Sequence, residues 1–179
     1  SLNGPMVIIV KNGGILTLGT MGGGQEIYID CDSKITIEDG GILNNYSDCN
    51  IKADAVIDNN GTINNENKIN VLGAVVNNNG LIVNGNSSNI GDIELFSGHI
   101  TNKSTIDNEY GLIQFHQDLG YIEQSGGATI ENVASHDENS KSSVYLTNLS
   151  DHSLTMSRIS EGDLGGVSNT GFFGTGYPQ

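Results

Sequence analysis

Residues able to do chemistry are few in this chain, and they lie far apart. Two carboxylate pairs are close in sequence: Asp30 with Asp32, and Asp137 with Glu138 beside His136. Hydrolysis of a glycosidic bond with inversion needs two carboxyls facing each other across a cleft. Asp30 and Asp32 would share one face of a strand, and Asp137-Glu138 reads as a loop. Neither pair has an evident partner. Eliminative cleavage would need a base, and Arg158 is the sole arginine. His99, His116, His136 and His152 are widely spaced, with no His-x-x-x-His and no Cys-x-x-Cys, so zinc has no support. Calcium would have to draw on the same two carboxylate pairs. No phosphate-cradling Gly-x4-Gly-Lys-Ser/Thr loop and no Gly-x-Ser-x-Gly elbow is present. The expectation is no enzyme, no cofactor and no metal.

Cys31 and Cys49 stand 18 residues apart. A disulfide between adjacent layers of a stacked fold is geometrically allowed, since such layers lie about 4.8 Å apart and disulfide Cα separations run about 4.4 to 6.8 Å. Two buried free thiols are the alternative. Both readings stay open on sequence.

What positions these residues is a repeat. Gly-x-Ile recurs at Gly13-Gly14-Ile15, Gly40-Gly41-Ile42, Gly61-Thr62-Ile63, Gly80-Leu81-Ile82, Gly98-His99-Ile100 and Gly120-Tyr121-Ile122. The isoleucines are 27, 21, 19, 18 and 22 residues apart. Periods of roughly 20 to 50 residues mark stacked architectures. Each repeat holds three short segments alternating apolar with polar residues, as half-buried strands do. Thr62-Ile63-Asn64, Lys68-Ile69-Asn70-Val71 and Ala74-Val75-Val76 are the clearest set. The fold class expected is all-β: a parallel β-helix, or β-solenoid, of 18–22 residues per rung, five to seven rungs and three strands per rung.

Stacking predicts one interior column of Ile63, Ile82, Ile100 and Ile122, and a second of Ile51, Ile69, Ile90, Ile106 and Ile130. The chain carries 23 Asn and 25 Gly. Asparagines at the corners, such as Asn44-Asn45, Asn59-Asn60, Asn64-Asn65, Asn77 to Asn79 and Asn84, predict amide ladders from rung to rung. One domain spans 1–179. Its regular rungs cover about 40–133, with an irregular N-terminal strand in 1–20 and an insertion at 16–41. A Gly-rich aromatic tail occupies 162–179.

The charge of −14 repels phosphate backbones and anionic bilayers, so nucleic acid is not an expected partner. No apolar run reaches the ~18 residues of a membrane span. Starting at Ser1 without Met fits a mature secreted protein or a cut fragment. Soluble solenoids need polar caps. Here both ends are apolar: Met6, Val7, Ile8 and Ile9 at one, Phe172, Phe173 and Tyr177 at the other. These seven residues are the expected assembly surfaces, and the expected partner is another copy of the chain.

Asn60-Gly61-Thr62-Ile63-Asn64-Asn65 and Asn102-Lys103-Ser104-Thr105-Ile106-Asp107-Asn108 resemble repeats of secreted bacterial and archaeal surface proteins, and of some phage and virus fibres. The resemblance covers roughly residues 40–133. It implies a parallel β-helix exposed at a surface or exported, and it transfers no catalytic residue. The expectation is therefore an extracellular, self-assembling structural subunit of a filament or appendage. A virus fibre or decoration protein touching surface glycans is one alternative. A polysaccharide-active or carbohydrate-binding β-helix is the other.

Overall fold

The computed structural model describes residues 4–108, 110–116, 120–124, 128–132, 143–147, 159–161, 166–169 and 172–175. Among them there is no helix, and so none long and apolar enough to cross a membrane. The strands come in threes. The first three sets are β1 (Val7–Val10), β2 (Ile15–Leu18), β3 (Glu26–Ile29); β4 (Lys34–Ile37), β5 (Ile42–Asn45), β6 (Asp48–Lys52); β7 (Val56–Asn59), β8 (Thr62–Asn65), β9 (Lys68–Leu72). The next two are β10 (Val75–Asn78), β11 (Leu81–Asn84), β12 (Gly91–Leu95); β13 (His99–Asn102), β14 (Thr105–Asp107), β15 (Gly111–His116). The last are β16 (Tyr121–Gln124), β17 (Thr129–Asn132), β18 (Ser143–Thr147); β19 (Ile159–Glu161), β20 (Gly166–Asn169), β21 (Phe172–Thr175).

Every third strand joins the same seven-stranded parallel sheet. Sheet A begins at β1, sheet B at β2 and sheet C at β3. This is the expected β-solenoid with three strands per rung. The periodicity continues past the point where the sequence loses it. β18, β20 and β21 pair in register with β15, β17 and β18. Residues 16–41 likewise form ordinary strands with one long corner, not an insertion.

The interior columns differ from those expected. In sheet A the column runs Ile8, Ile35, Ile57, Val76, Ile100, Ile122. In sheet B it runs Leu16, Leu43, Ile63, Ile82, Ile106, Ile130. Ile100 and Ile122 therefore do not stack on Ile63 and Ile82. Ile51 and Ile69 face inward from sheet C, separately from Ile106 and Ile130. Ile90 sits outside the core, 52% exposed.

The reason is that Gly-x-Ile marks a corner, and two corners use it. At Gly41 an added Cβ would come within 2.6 Å of the Val10 carbonyl oxygen, one rung away. Gly61 and Gly80 stand against the Gly41 and Gly61 carbonyls at the same corner. Gly98 and Gly120 meet the Ala74 and Leu95 carbonyls at the corner from sheet C to sheet A. Close approach of stacked backbones demands glycine at both. The motif thus changes sheets between Ile82 and Ile100.

The asparagine ladders form as expected. Asn45 Nδ2 donates to Asn65 Oδ1 (2.9 Å), Asn65 to Asn84 (2.7 Å) and Asn84 to Asn108 (2.7 Å). A second ladder runs Asn59 to Asn78 (2.7 Å) to Asn102 (2.8 Å). All seven side chains are fully buried. Each inner Nδ2 of the first ladder also donates to a backbone carbonyl at the next corner, as Asn65 does to Asp92 O (3.1 Å). Outward-facing amides run the other way: Asn64 donates back to Asn44 (2.9 Å) and Asn70 back to Asn50 (3.0 Å).

Candidate functional site: an open apolar end

β1, β2 and β3 each pair on one side only, because they are the first strands of their sheets. Their other edges carry backbone N–H and C=O groups with no neighbouring strand among the described residues. The three strands alternate inward and outward residues like every other rung. The inward residues have a partner below and none above. Ile8, Leu16 and Leu18 are consequently only half-buried, although they pack on the core. Together with Met6, Ile27 and Ile29 they line an apolar mouth of about 480 Å³. Outside this mouth, Val7, Ile9 and Ile15 are exposed.

Of the expected assembly residues, Met6 and Ile8 thus face the mouth, whereas Val7 and Ile9 face outward. Phe172 and Phe173 lie on β21, the terminal strand of sheet C at the opposite end. Tyr177 lies outside the described residues. The two sets mark opposite ends of the same three sheets. An apolar mouth ringed by unpaired strand edges can accept further parallel strands.

A polar cluster that the sequence reading missed covers the outer face of sheet C. Lys68 stands in register with Asp48 on one side and Asp92 on the other. Its ammonium bonds Glu94 and lies 3.6 Å from Asp92 Oδ2. His116 Nε2 is 2.8 Å from Glu94 Oε2, and its ring stacks on Phe96 at 4.3 Å. Gln114 Nε2 donates to both Asp92 oxygens at 2.8 Å. Burial, then the Glu94 charge, push the Asp92 carboxyl up to about 7. Burial opposes the charge on Lys68, but the Glu94 hydrogen bond and the surrounding carboxylates outweigh it and raise its pKa. The only sequence signal was the spacing Asp48, Lys68, Asp92, which becomes visible once the rung register is known.

The other candidates are dispersed. Asp30 and Asp32 sit in the turn after β3, not on a strand face. Asp30 pairs with Lys52 at 2.9 Å, and that hydrogen bond lowers its carboxyl pKa. His99 stacks on Tyr121 at 4.7 Å on sheet A. Phe115 is core. His136, Asp137, Glu138, His152 and Arg158 lie outside the described residues. No group able to hold a metal ion occurs among the described residues.

The cysteines are both free. Cys49 faces inward on β6 between Ile27 and Ile69, while Cys31 is exposed in the turn beyond β3. The in-register neighbour of Cys49 is Ile27, four residues short of Cys31, which is why no disulfide closes. Burial, reinforced by Asp48, pushes the Cys49 thiol up to about 12.

Comparison with protein-family models, curated proteins and solved structures finds no match.

Proposed function

We propose that this chain is a non-enzymatic structural protein, a subunit that assembles through its own ends into an extracellular filament or surface appendage. The observation that carries this reading is the open apolar mouth, framed by three unpaired strand edges. A second copy offers three strands of matching direction at its far end: β19, β20 and β21 are the terminal strands of the same sheets. Stacking β19 on β1, β20 on β2 and β21 on β3 would prolong all three sheets. Such contact is head-to-tail and does not close on itself, which is the symmetry of a filament. Long-range repulsion between subunits of charge −14 opposes sideways clumping and is screened by salt.

Electron microscopy and light scattering of the purified protein test the reading. The expected result is uniform filaments or a concentration-dependent ladder of linear oligomers. Leu16→Lys and Leu18→Asn should abolish them while the β-sheet circular dichroism signal is kept. A strictly monomeric wild-type protein at high concentration would sink the proposal.

A further inference from the structure

A second surface lies away from the ends, at the corner joining sheet B to sheet C. Four successive corners there are long, short, short and long: residues 19–25, 46–47, 66–67 and 85–90. The two long loops stand up as walls and the two short corners form the floor between them. With rungs about 4.8 Å apart, the walls are separated by roughly 14 Å. The resulting groove holds about 430 Å³, within the range of small-ligand sites.

Its lining is of one chemical kind. Tyr46, Glu66 and Asn67 make the floor, Met21 stands on one wall, and Asn89 and Ile90 on the other. Met21 and Ile90 are large apolar residues exposed at 68% and 52%. The remaining strongly exposed aliphatics belong to the N-terminal rung, so these two are paired by the groove alone. One wall is built rigidly. Asn86 and Asn89 exchange backbone hydrogen bonds (2.8 and 3.2 Å), and Asn86 Oδ1 accepts from Ser88 N (2.8 Å) and Asn89 N (3.0 Å). Asn89 Nδ2 then holds Glu66 Oε2 at 2.9 Å, and Asn67 Nδ2 holds the Tyr46 carbonyl at 3.1 Å. No lysine, arginine or histidine lines the groove, so an anionic ligand finds no counter-charge.

We propose that this groove binds a neutral oligosaccharide. Carboxylate, amide and phenol groups suit hydroxyls that both donate and accept. Tyr46, Met21 and Ile90 suit the apolar C–H faces of sugar rings. A peptide strand is the poorer fit, because the corners offer no free sheet edge to pair with. The site is independent of assembly through the ends, so either proposal can fail alone.

Calorimetric titration of the full chain with cellotetraose, maltotetraose, mannotetraose and chitotetraose is the test. Binding of at least one of these is expected, with a Kd between about 10 µM and 1 mM, and Tyr46→Ala and Ile90→Asp should each weaken it about tenfold. Ile90 is exposed at a loop tip, so its substitution leaves folding intact and keeps the test decisive. The proposal is overturned if none of these sugars binds at about 10 mM. It is equally overturned if both variants bind as tightly as wild type, or if only polygalacturonate, a polyanion, binds.

Discussion

In the middle rungs the last inward residue of each sheet B strand is an asparagine: Asn45, Asn65 and Asn84. In the N-terminal rung the same position is Leu18, in register with Asn45. Sheet A shows the same change, with Val10 and Ile37 preceding Asn59 in their column. The ladders do not run to the open edge. Asn45 Oδ1 is closed off one rung in, by Ser47 N (3.2 Å) and Ser47 Oγ (2.8 Å). Asn59 Oδ1 ends its ladder on Gly61 N at 3.2 Å. A buried amide left without partners costs about 1 to 3 kcal/mol, whereas an aliphatic group tolerates either water or a new neighbour. Polar ladders therefore fix register where the stack is permanent. Aliphatic corners occur where the stack stops or is to be continued by another molecule.

The largest effect expected from that difference comes from exchanging the two corner types. Asn84 accepts from Asn65 and donates to Asn108 and to the Leu112 carbonyl (2.9 Å). Asn84→Leu keeps the volume and removes all three bonds. At about 1 kcal/mol or more per buried group affected, urea unfolding should show a loss of about 3 kcal/mol. Leu18→Asn places an amide beside an acceptor already occupied and partly in water, and should cost about 1 kcal/mol or less. Equal costs would erase the distinction between the two regions.

Glycines give the next contrast. Gly80→Ala drives a Cβ into the Gly61 carbonyl between two fixed rungs. Overpacking of this kind costs about 1 to 3 kcal/mol, and backbone obstruction puts Gly80 near the top of that range. Gly13 has φ +73 and nothing within 4 Å of its would-be Cβ. Gly13→Ala should cost only the left-handed backbone penalty of about 1 kcal/mol. The same urea midpoints decide it.

The sequence made the solenoid and its ladders legible because both depend on residue type at a local spacing. Asparagine and glycine at corners say where the chain turns, and aliphatic alternation says which side is inside. Which corner aligns with which was not legible, because rung length varies. Sheet A steps by 22, then 19, then 24 residues at Ile35, Ile57, Val76 and Ile100. A glycine motif shared by two corners then misassigned Ile100 and Ile122. The open mouth was half legible: apolar Met6 to Ile9 announced it, but Leu16, Leu18 and Ile27 join only through the stack. The Lys68 cluster and the Tyr46 groove were hidden for the same reason. Their members come from three or four different rungs.

A smaller effect concerns pH, and it belongs to the middle region alone. Asp92 titrates near 7 in the folded chain and near 3.9 when unfolded. The folded state thus binds the extra proton between those values, so stability is full below about pH 4 and declines as pH rises through about 7. Asp48, Lys68, Glu94, Gln114 and His116 all face this carboxyl or its neighbours. Asp92→Asn keeps the Gln114 contact on one oxygen and cannot ionise. Urea midpoints at pH 5 and pH 8 should differ in the wild type, with lower stability at pH 8, and converge in Asp92→Asn. A wild type more stable at pH 8 would reverse the assigned shift.

The smallest effect needs no substitution, because the two cysteines sit on either side of the same divide. Cys31 is exposed beside the N-terminal rung, and Cys49 is the first inward residue beneath it. With its thiol pushed up to about 12, Cys49 has a thiolate fraction at neutral pH about a thousandfold below an ordinary thiol's. A neutral-pH thiol reagent should therefore modify one cysteine promptly, and peptide mapping should place the label on Cys31. Slow labelling of Cys49 then reports how often β1, β2 and β3 lift away from β6 and its neighbours, since local opening exposes what global stability hides. If an incoming copy covers the mouth, labelling of Cys49 should slow further as protein concentration rises. Prompt labelling of both cysteines would mean that the aliphatic rung is open in solution, and that only the asparagine-laddered middle is a permanent stack.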